Sequence, residues 1–410
     1  MGRDCEALRD LDRMLRAIPG ARTERRTVLE VFEREIAWLI DAHRARSPAA
    51  AILIRRAGFT FGQQDPSDTS ILDASLDDAH ARNAIAKFHW FASYDDAMKR
   101  AGELVEPHFE AAADAIVDGD AAALHALLAS HPDLARARSP YAHHATLLQH
   151  VAANGIETSR QWQSPRNAAE IARILVDAGS EVDATCDAYG GSTAMGLLVS
   201  SCHPAESGVQ VALVETLLDA GAAIDGVATN QGTPIETALL FGYPDAAEAL
   251  ARRGARIDDV LVAAGLGRVE LVERLAEQPG ARLDQAFRIA SMLGRTQASL
   301  AVLDRGADPT KRDREGFTGL HWAAFFGHFQ TVEALLDRAN VRATLEVKNI
   351  YGGTVLDSTV WGARNIKRHI DRLPVIRRLI AAGANVEEVG PRPVDIPAIE
   401  ALLVAAAATK

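Results

Sequence analysis

Cysteine is nearly missing: Cys5, Cys186 and Cys202 are the three in 410 residues. They are too few and too scattered for a disulfide framework or a zinc site, and read as free thiols in a reducing compartment. No metal and no cofactor is expected. Aromatics supply 5% of the chain, a poor stock for a β-sandwich core but enough for short helices packed closely through alanine. Basic residues are outnumbered, 44 Lys and Arg against 55 Asp and Glu, for a net charge of −11. That balance repels phosphate, so nucleic acid is not an expected partner. No run reaches the ~18 apolar residues of a membrane span. The opening MGRDCEALRD is charged from the start, unlike a secretion signal. A soluble, cytoplasmic protein is expected, with no membrane contact.

What is present is an apolar fraction of 48% and one stretch that organises the rest, GFTGLHWAAFFGHFQTVEALL from Gly316 to Leu336. Gly316 suits a turn with positive φ. Thr318 can cap a first helix through its hydroxyl. Ala323 and Ala324 let neighbouring helices approach, Gly327 ends the helix, and Val332, Leu335 and Leu336 recur at helical spacing in a second one. The stretch resembles the ankyrin repeat, whose signature is G-x-T-P-L-H-x-A-A-x-x-G-H, with Gly319 in place of the proline. Similar blocks start at Ala145, Ser192, Gly232 and Gly353. Second-helix endings of the form LLDAGAAIDG follow at Leu175, Leu217, Leu250, Val302 and Leu379, each placing a glycine just past a helix. The resemblance implies an all-α ankyrin-repeat solenoid of about eight helix-turn-helix units. The fourth signature position, normally a histidine that bonds to neighbouring turns, is filled here by Gln149, Glu236, His321 and Asp357.

Three regions are expected: a helical N-terminal region over 1–108, the repeat array over 109–386, and a closing helix within 387–410. In the first, residues 7–18 and 24–46 show helical periodicity. Ile52–Ile54 fits strand or buried helix equally well, and residues 76–104 read as one or two helices. The part with Trp90, Phe91 and Tyr94 is similar to a segment found ahead of bacterial ankyrin arrays, and reads as a cap on the first repeat because solenoid ends need a polar outer face. Within the array, the glycine spacing contracts from Gly242 through Gly267 to Gly294, where fingers are missing. Insertions swell three other units, the longest over 156–167. Such insertions gather on one face and often mark its binding side.

Two kinds of site are candidates. Aromatics at finger tips, Tyr141, Tyr189, Phe317 and Tyr351, could anchor a protein partner or instead steady the array by packing on the next finger. His143, His144, His150, Asn154, Arg160, Trp162, Asp187 and His203 could converge under the 156–167 insertion and hold a small polar ligand or do acid–base chemistry. No catalytic residue is assigned. Gly265-Leu266-Gly267 begins like a dinucleotide loop, but Glu270 replaces its last glycine, and no nucleophile elbow or phosphate loop appears. The resemblance favours a non-enzymatic scaffold gripping an unidentified protein through its concave groove. The alternative is a small-molecule-binding protein or enzyme.

Overall fold

The computed structural model describes residues 2–58, 66–153, 156, 158–160, 163–228, 232–366 and 370–408. It divides into two compact units, Met1–Pro234 and Ile235–Lys410. Among the described residues no helix is long and apolar enough to cross a membrane.

In the first unit the N-terminal part is built of the helices Gly2–Arg16, Val28–Arg44, Pro48–Arg56, Asp68–Asp73, Asp78–Phe88 and Tyr94–Met98. Thr27 starts the second of these with a capping box: its hydroxyl accepts from the Glu30 N–H, and the Glu30 carboxylate accepts from the Thr27 N–H at 2.8 Å. Two orphan donors are thereby satisfied. The ambiguous Ile52–Ile54 is helical, because Pro48 pre-sets the first turn and Leu53 and Ile54 are buried with Ala49, Ala50 and Ala51. Residues 76–104 end in a strand, Leu104–Val105, which pairs antiparallel with Arg26–Thr27. This two-stranded clasp packs on the helix Val28–Arg44, and the first helix pair, Pro107–Asp118 with Ala121–Ser130, follows it in the chain. Two more pairs follow, Leu147–Ala153 with Ala168–Asp177 and Ala194–Ser200 with Gln210–Asp219.

The second unit continues the pattern with five pairs. They are Pro234–Leu240 with Pro244–Arg252, Val260–Gly265 with Val269–Leu275, Leu283–Met292 with Thr296–Asp304, Gly319–Phe325 with Phe329–Leu336, and Val355–Asn365 with Leu373–Ala381. The helix Pro397–Ala407 closes it. From Val260 onward, first helices pack on first helices and second on second. Each pair thus buries an apolar face it could not hide alone. Gly179, Gly221, Gly254, Gly306 and Gly383, the glycines just past the second helices, have φ between 89° and 102°, a conformation that a Cβ disfavours.

The fourth-position residues tie each unit to the next turn. Gln149 accepts from the Thr146 N–H at 2.8 Å and donates to the Ala184 and Ser192 carbonyls at 2.7 and 3.1 Å. Asp357 accepts from the Gly390 N–H at 3.0 Å. Where the fingers are missing, a side chain reaches back instead: Arg282 forks onto both Glu236 oxygens at 2.7 and 3.0 Å.

His321 fills the same position with a titratable ring. It is buried, sits against Gly353 and Val347 of the next finger, and shares a capping box with Thr318. Burial holds the imidazole down at about 4, outweighing the neighbouring groups that favour the charged form. The unfolded ring binds its proton near pH 6.5 and the folded ring does not. The stability it supports is therefore complete above that value and is lost as pH falls toward 4, by about 2 kcal/mol at pH 5. Urea midpoints at pH 7 and pH 5 should draw apart in the native chain and stay closer in His321→Gln. Equal separations in the two proteins would refute this.

Candidate functional site

The polar residues proposed from sequence fall into separate places. Arg160 is fully buried in the short turn Thr158–Arg160. Its Nε and Nη2 donate to Asp114 at 2.8 and 2.7 Å, and Nη2 also donates to Glu110 at 2.8 Å. Around it, Arg22 donates to Asp12 at 3.1 Å and to the Ser159 hydroxyl at 3.3 Å. Arg16 joins Asp12 and Asp118, each at 2.6 Å. Burial alone would push the Asp114 carboxyl up, but Arg160, Arg22 and Arg16 bring it below its usual value. The turn Thr158–Arg160 is thus pinned to the helix Pro107–Asp118 directly and to Gly2–Arg16 through Arg22, by charge-assisted hydrogen bonds that are strong when water is excluded.

His143 and His150 do come together, buried edge to face at 5.9 Å. His143 Nδ1 accepts from the Ala145 N–H at 3.1 Å, and His150 packs edge-on to Phe109 at 5.8 Å. His144 lies apart and half-buried, 3.8 Å from exposed Asp187. His203 is half-buried, and its burial, with Arg56 nearby, lowers its basicity. Asn154 and Trp162 lie outside the described residues. Sequence reading missed a further buried pair, Glu35 with His89 at 2.6 Å.

The finger-tip aromatics divide in the same way. Tyr141 is buried: His89 stacks on it at 4.2 Å, with Phe32 parallel at 6.4 Å. The N-terminal helices therefore cover this tip. Tyr189 meets Trp90 edge-on at 5.0 Å but stays 61% exposed. Phe317 is buried, and Tyr351 is 76% exposed. The two Tyr-Gly-Gly tips also differ. Tyr189 itself takes φ 52°, whereas in the second tip only Gly352 is left-handed, at 84°.

Around Phe317 and Tyr351 the second unit builds a groove of about 620 Å³ between the fingers 313–317 and 349–353 and the helices Gly319–Phe325 and Val355–Asn365. Phe317 stacks on Trp322 at 4.7 Å. Phe325 meets both edge-on at 5.9 Å and lies nearly parallel to Trp361 at 6.1 Å. Phe325 and Trp361 hold the same place in successive units, each following the capping residues Thr318 and Thr354 by an equal interval. Trp361 is 53% exposed. The walls are stiff. Asp313 accepts from Trp322 Nε1 at 2.6 Å and from the Phe317 N–H at 2.8 Å, and Asn349 Oδ1 accepts from the N–H groups of Tyr351 and Gly353 at 2.9 and 3.0 Å. Ile350 N–H donates to the Glu315 carbonyl at 3.0 Å, lacing one finger to the next. The close approach of Asn349 and Ile350 backbone, 2.9 Å from where a Cβ would stand, restricts position 316 to glycine. Glu315 and Asp357 add carboxylates to the lining. Burial pushes the Asp357 carboxyl up, against the Gly390 N–H that favours its ionised form.

Residues 286–336 match the family model of ankyrin repeats (many copies). The ankyrin repeat protein nuc-2 of Neurospora crassa is 29% identical over 160 residues, 35% of this chain and 15% of that protein. The chain therefore spans a small part of that relative, which is fungal and lends no weight to a bacterial origin. The human ASB11 ankyrin repeat domain is a structural relative at 21% identity, with a TM-score of 0.35, covering 55% of this chain and 96% of that domain. The capped helix pairs and laced fingers form an all-α ankyrin-repeat fold, and residues 286–336 match the ankyrin-repeat family model directly.

Proposed function

We propose that this protein is a non-enzymatic binding scaffold of the cytoplasm that grips another protein, with its principal contact at the groove lined by Phe317, Tyr351 and Trp361. The reading takes residues 1–108 as a helical N-terminal region, 109–386 as the array, and 387–410 as its cap. One observation carries it: Tyr351 and Trp361 are largely exposed on walls already fixed by hydrogen bonds. Large exposed rings carried on a backbone already ordered by hydrogen bonds gain contact area at reduced entropic cost, and such residues dominate binding energy at protein interfaces. Arg160, committed to Glu110 and Asp114, supports an architectural role for the 156–167 insertion over a ligand site. A bacterial source rests only on the resemblance of the Trp90–Tyr94 segment.

The test is retention of a lysate protein by immobilised full chain, compared with Tyr351→Ala, Trp361→Ala and Tyr189→Ala. Hot-spot behaviour predicts that the partner's affinity falls ~10-fold or more in the first two variants. Retention unchanged in all three, or no retained protein at all, counts against the proposal.

A further inference from the structure

We infer that the 313–361 groove takes a basic side chain, arginine or lysine, presented on a flexible segment of a protein partner. This rests on the protein-binding reading and names the chemistry of what is bound. The lining combines aromatic rings with the carboxylates of Glu315 and Asp357, and no lysine or arginine is among its described lining residues. Lys348, the chain neighbour of the lining residue Asn349, pairs with Glu388 at 2.7 Å.

Three classes of occupant can be compared. An apolar segment would satisfy the rings but withdraw water from two carboxylates, of which Asp357 would keep the Gly390 N–H alone and no opposite charge, which is unfavourable. An acidic segment would add like charge to them. A guanidinium or ammonium answers both demands, since a cation is attracted to a ring face within about 6 Å of its centroid and to a carboxylate beside it. The half-buried Asp357, whose ionised form burial disfavours, would gain the opposite charge it lacks. The groove volume of about 620 Å³ lies within the ~300–1,000 Å³ of ordinary ligand clefts. It therefore admits the basic side chain together with its chain neighbours.

The probe is a set of short fluorescein-labelled peptides in a Gly/Ser background, with a central Arg-Ala-Arg, Lys-Ala-Lys, Gln-Ala-Gln or Glu-Ala-Glu. They are titrated against the full chain by fluorescence anisotropy. The arginine peptide should bind at least ~10-fold tighter than the glutamine peptide, and the glutamate peptide should not bind. Any basic peptide is drawn by a net charge of −11, so variants must separate the groove from the overall field. Trp361→Ala leaves the charge unchanged and Asp357→Asn alters it by a single unit. Each should weaken the arginine peptide by roughly 3- to 30-fold, while Tyr189→Ala should not change it. Equal binding of the glutamine peptide, no binding of the arginine and lysine peptides, or full affinity in Trp361→Ala overturns the inference. A lysate partner lost with Trp361→Ala while both basic peptides fail would overturn the basic side chain alone. Peptide binding without any retained partner would instead count against the wider scaffold reading.

Discussion

Replacing Arg160 by alanine should cost the first unit about 3–5 kcal/mol, the range seen when one partner of a buried ion pair is removed. The guanidinium is enclosed and donates to both Glu110 and Asp114. Its loss leaves Glu110 buried without its hydrogen-bonded cation, with Arg22 nearby as a weaker counter-charge, and leaves Asp114 with Arg22 and Arg16, each 3.5 Å away. The loss should appear as an earlier unfolding transition in urea and as faster hydrogen exchange along Pro107–Asp118. A double variant, Arg160→Ala with Glu110→Ala, should lose less than the sum of its parts, because the second change removes the stranded carboxylate. The acid limb offers a second check. Asp114 is held below its ordinary value, so its contribution is present at neutral pH and fades as pH falls through that depressed value. The Arg160→Ala chain should lose part of that acid sensitivity. A cost under about 1 kcal/mol, typical of exposed pairs, would mean that water reaches the cluster.

That cluster was the least legible part of the chain, for a physical reason. Helical periodicity reports which face of a helix is covered but not what covers it. Asp12 lies among Leu8, Leu11 and Leu15, and Glu35 between Phe32 and Ile36, all buried. A charge on such a stripe signals a buried partner somewhere, yet the partner is distant: Arg16 meets Asp118 across 102 positions and Arg160 meets Glu110 across 50. The fate of Tyr141 was hidden for the same reason, since the rings that bury it come from N-terminal helices that do not share the repeat. Contacts that recur at one repeat's distance could be read in advance. The Thr318 cap, the positive φ of Gly316 and the turn-bonding fourth position follow from local geometry copied from unit to unit. The groove lay between these limits. Phe317 and Tyr351 were visible as finger tips. Trp322, Phe325 and Trp361 join them because adjacent first helices stack in register, and the matching places of Phe325 and Trp361 were the signal available for it.

Restoring the signature proline through Gly319→Pro should destabilise the second unit by about 2 kcal/mol, although the backbone there is ready for it. Position 319 opens the helix Gly319–Phe325, where proline is favoured because its absent N–H needs no partner. Thr318 before it is extended, with φ −88° and ψ 172°, as a residue preceding proline prefers. By local rules the substitution should stabilise, chiefly by restricting the unfolded chain. The neighbouring repeat decides otherwise. A Cβ at 319 would stand 2.4 Å from Cε1 of Phe287, with two more ring atoms within 2.9 Å. That ring belongs to the adjacent first helix, Leu283–Met292, and is buried at 1% exposure. Overpacking of this kind costs about 1–3 kcal/mol, with the upper end fitting so close an approach, and outweighs the few tenths to ~1 kcal/mol that proline would return. Gly319→Ala should suffer similarly, since it is the Cβ that collides. In the pair Gly319→Pro with Phe287→Leu, the smaller side chain vacates the contested volume. The two changes should therefore couple favourably by at least about 1 kcal/mol in urea unfolding. Strict additivity, or a stabilised Gly319→Pro chain, would show that Phe287 can move aside and that the missing proline has another cause. If the coupling appears, the departure from the signature is explained by packing: the space that proline fills in the family pattern is already taken here by an aromatic ring from the preceding unit.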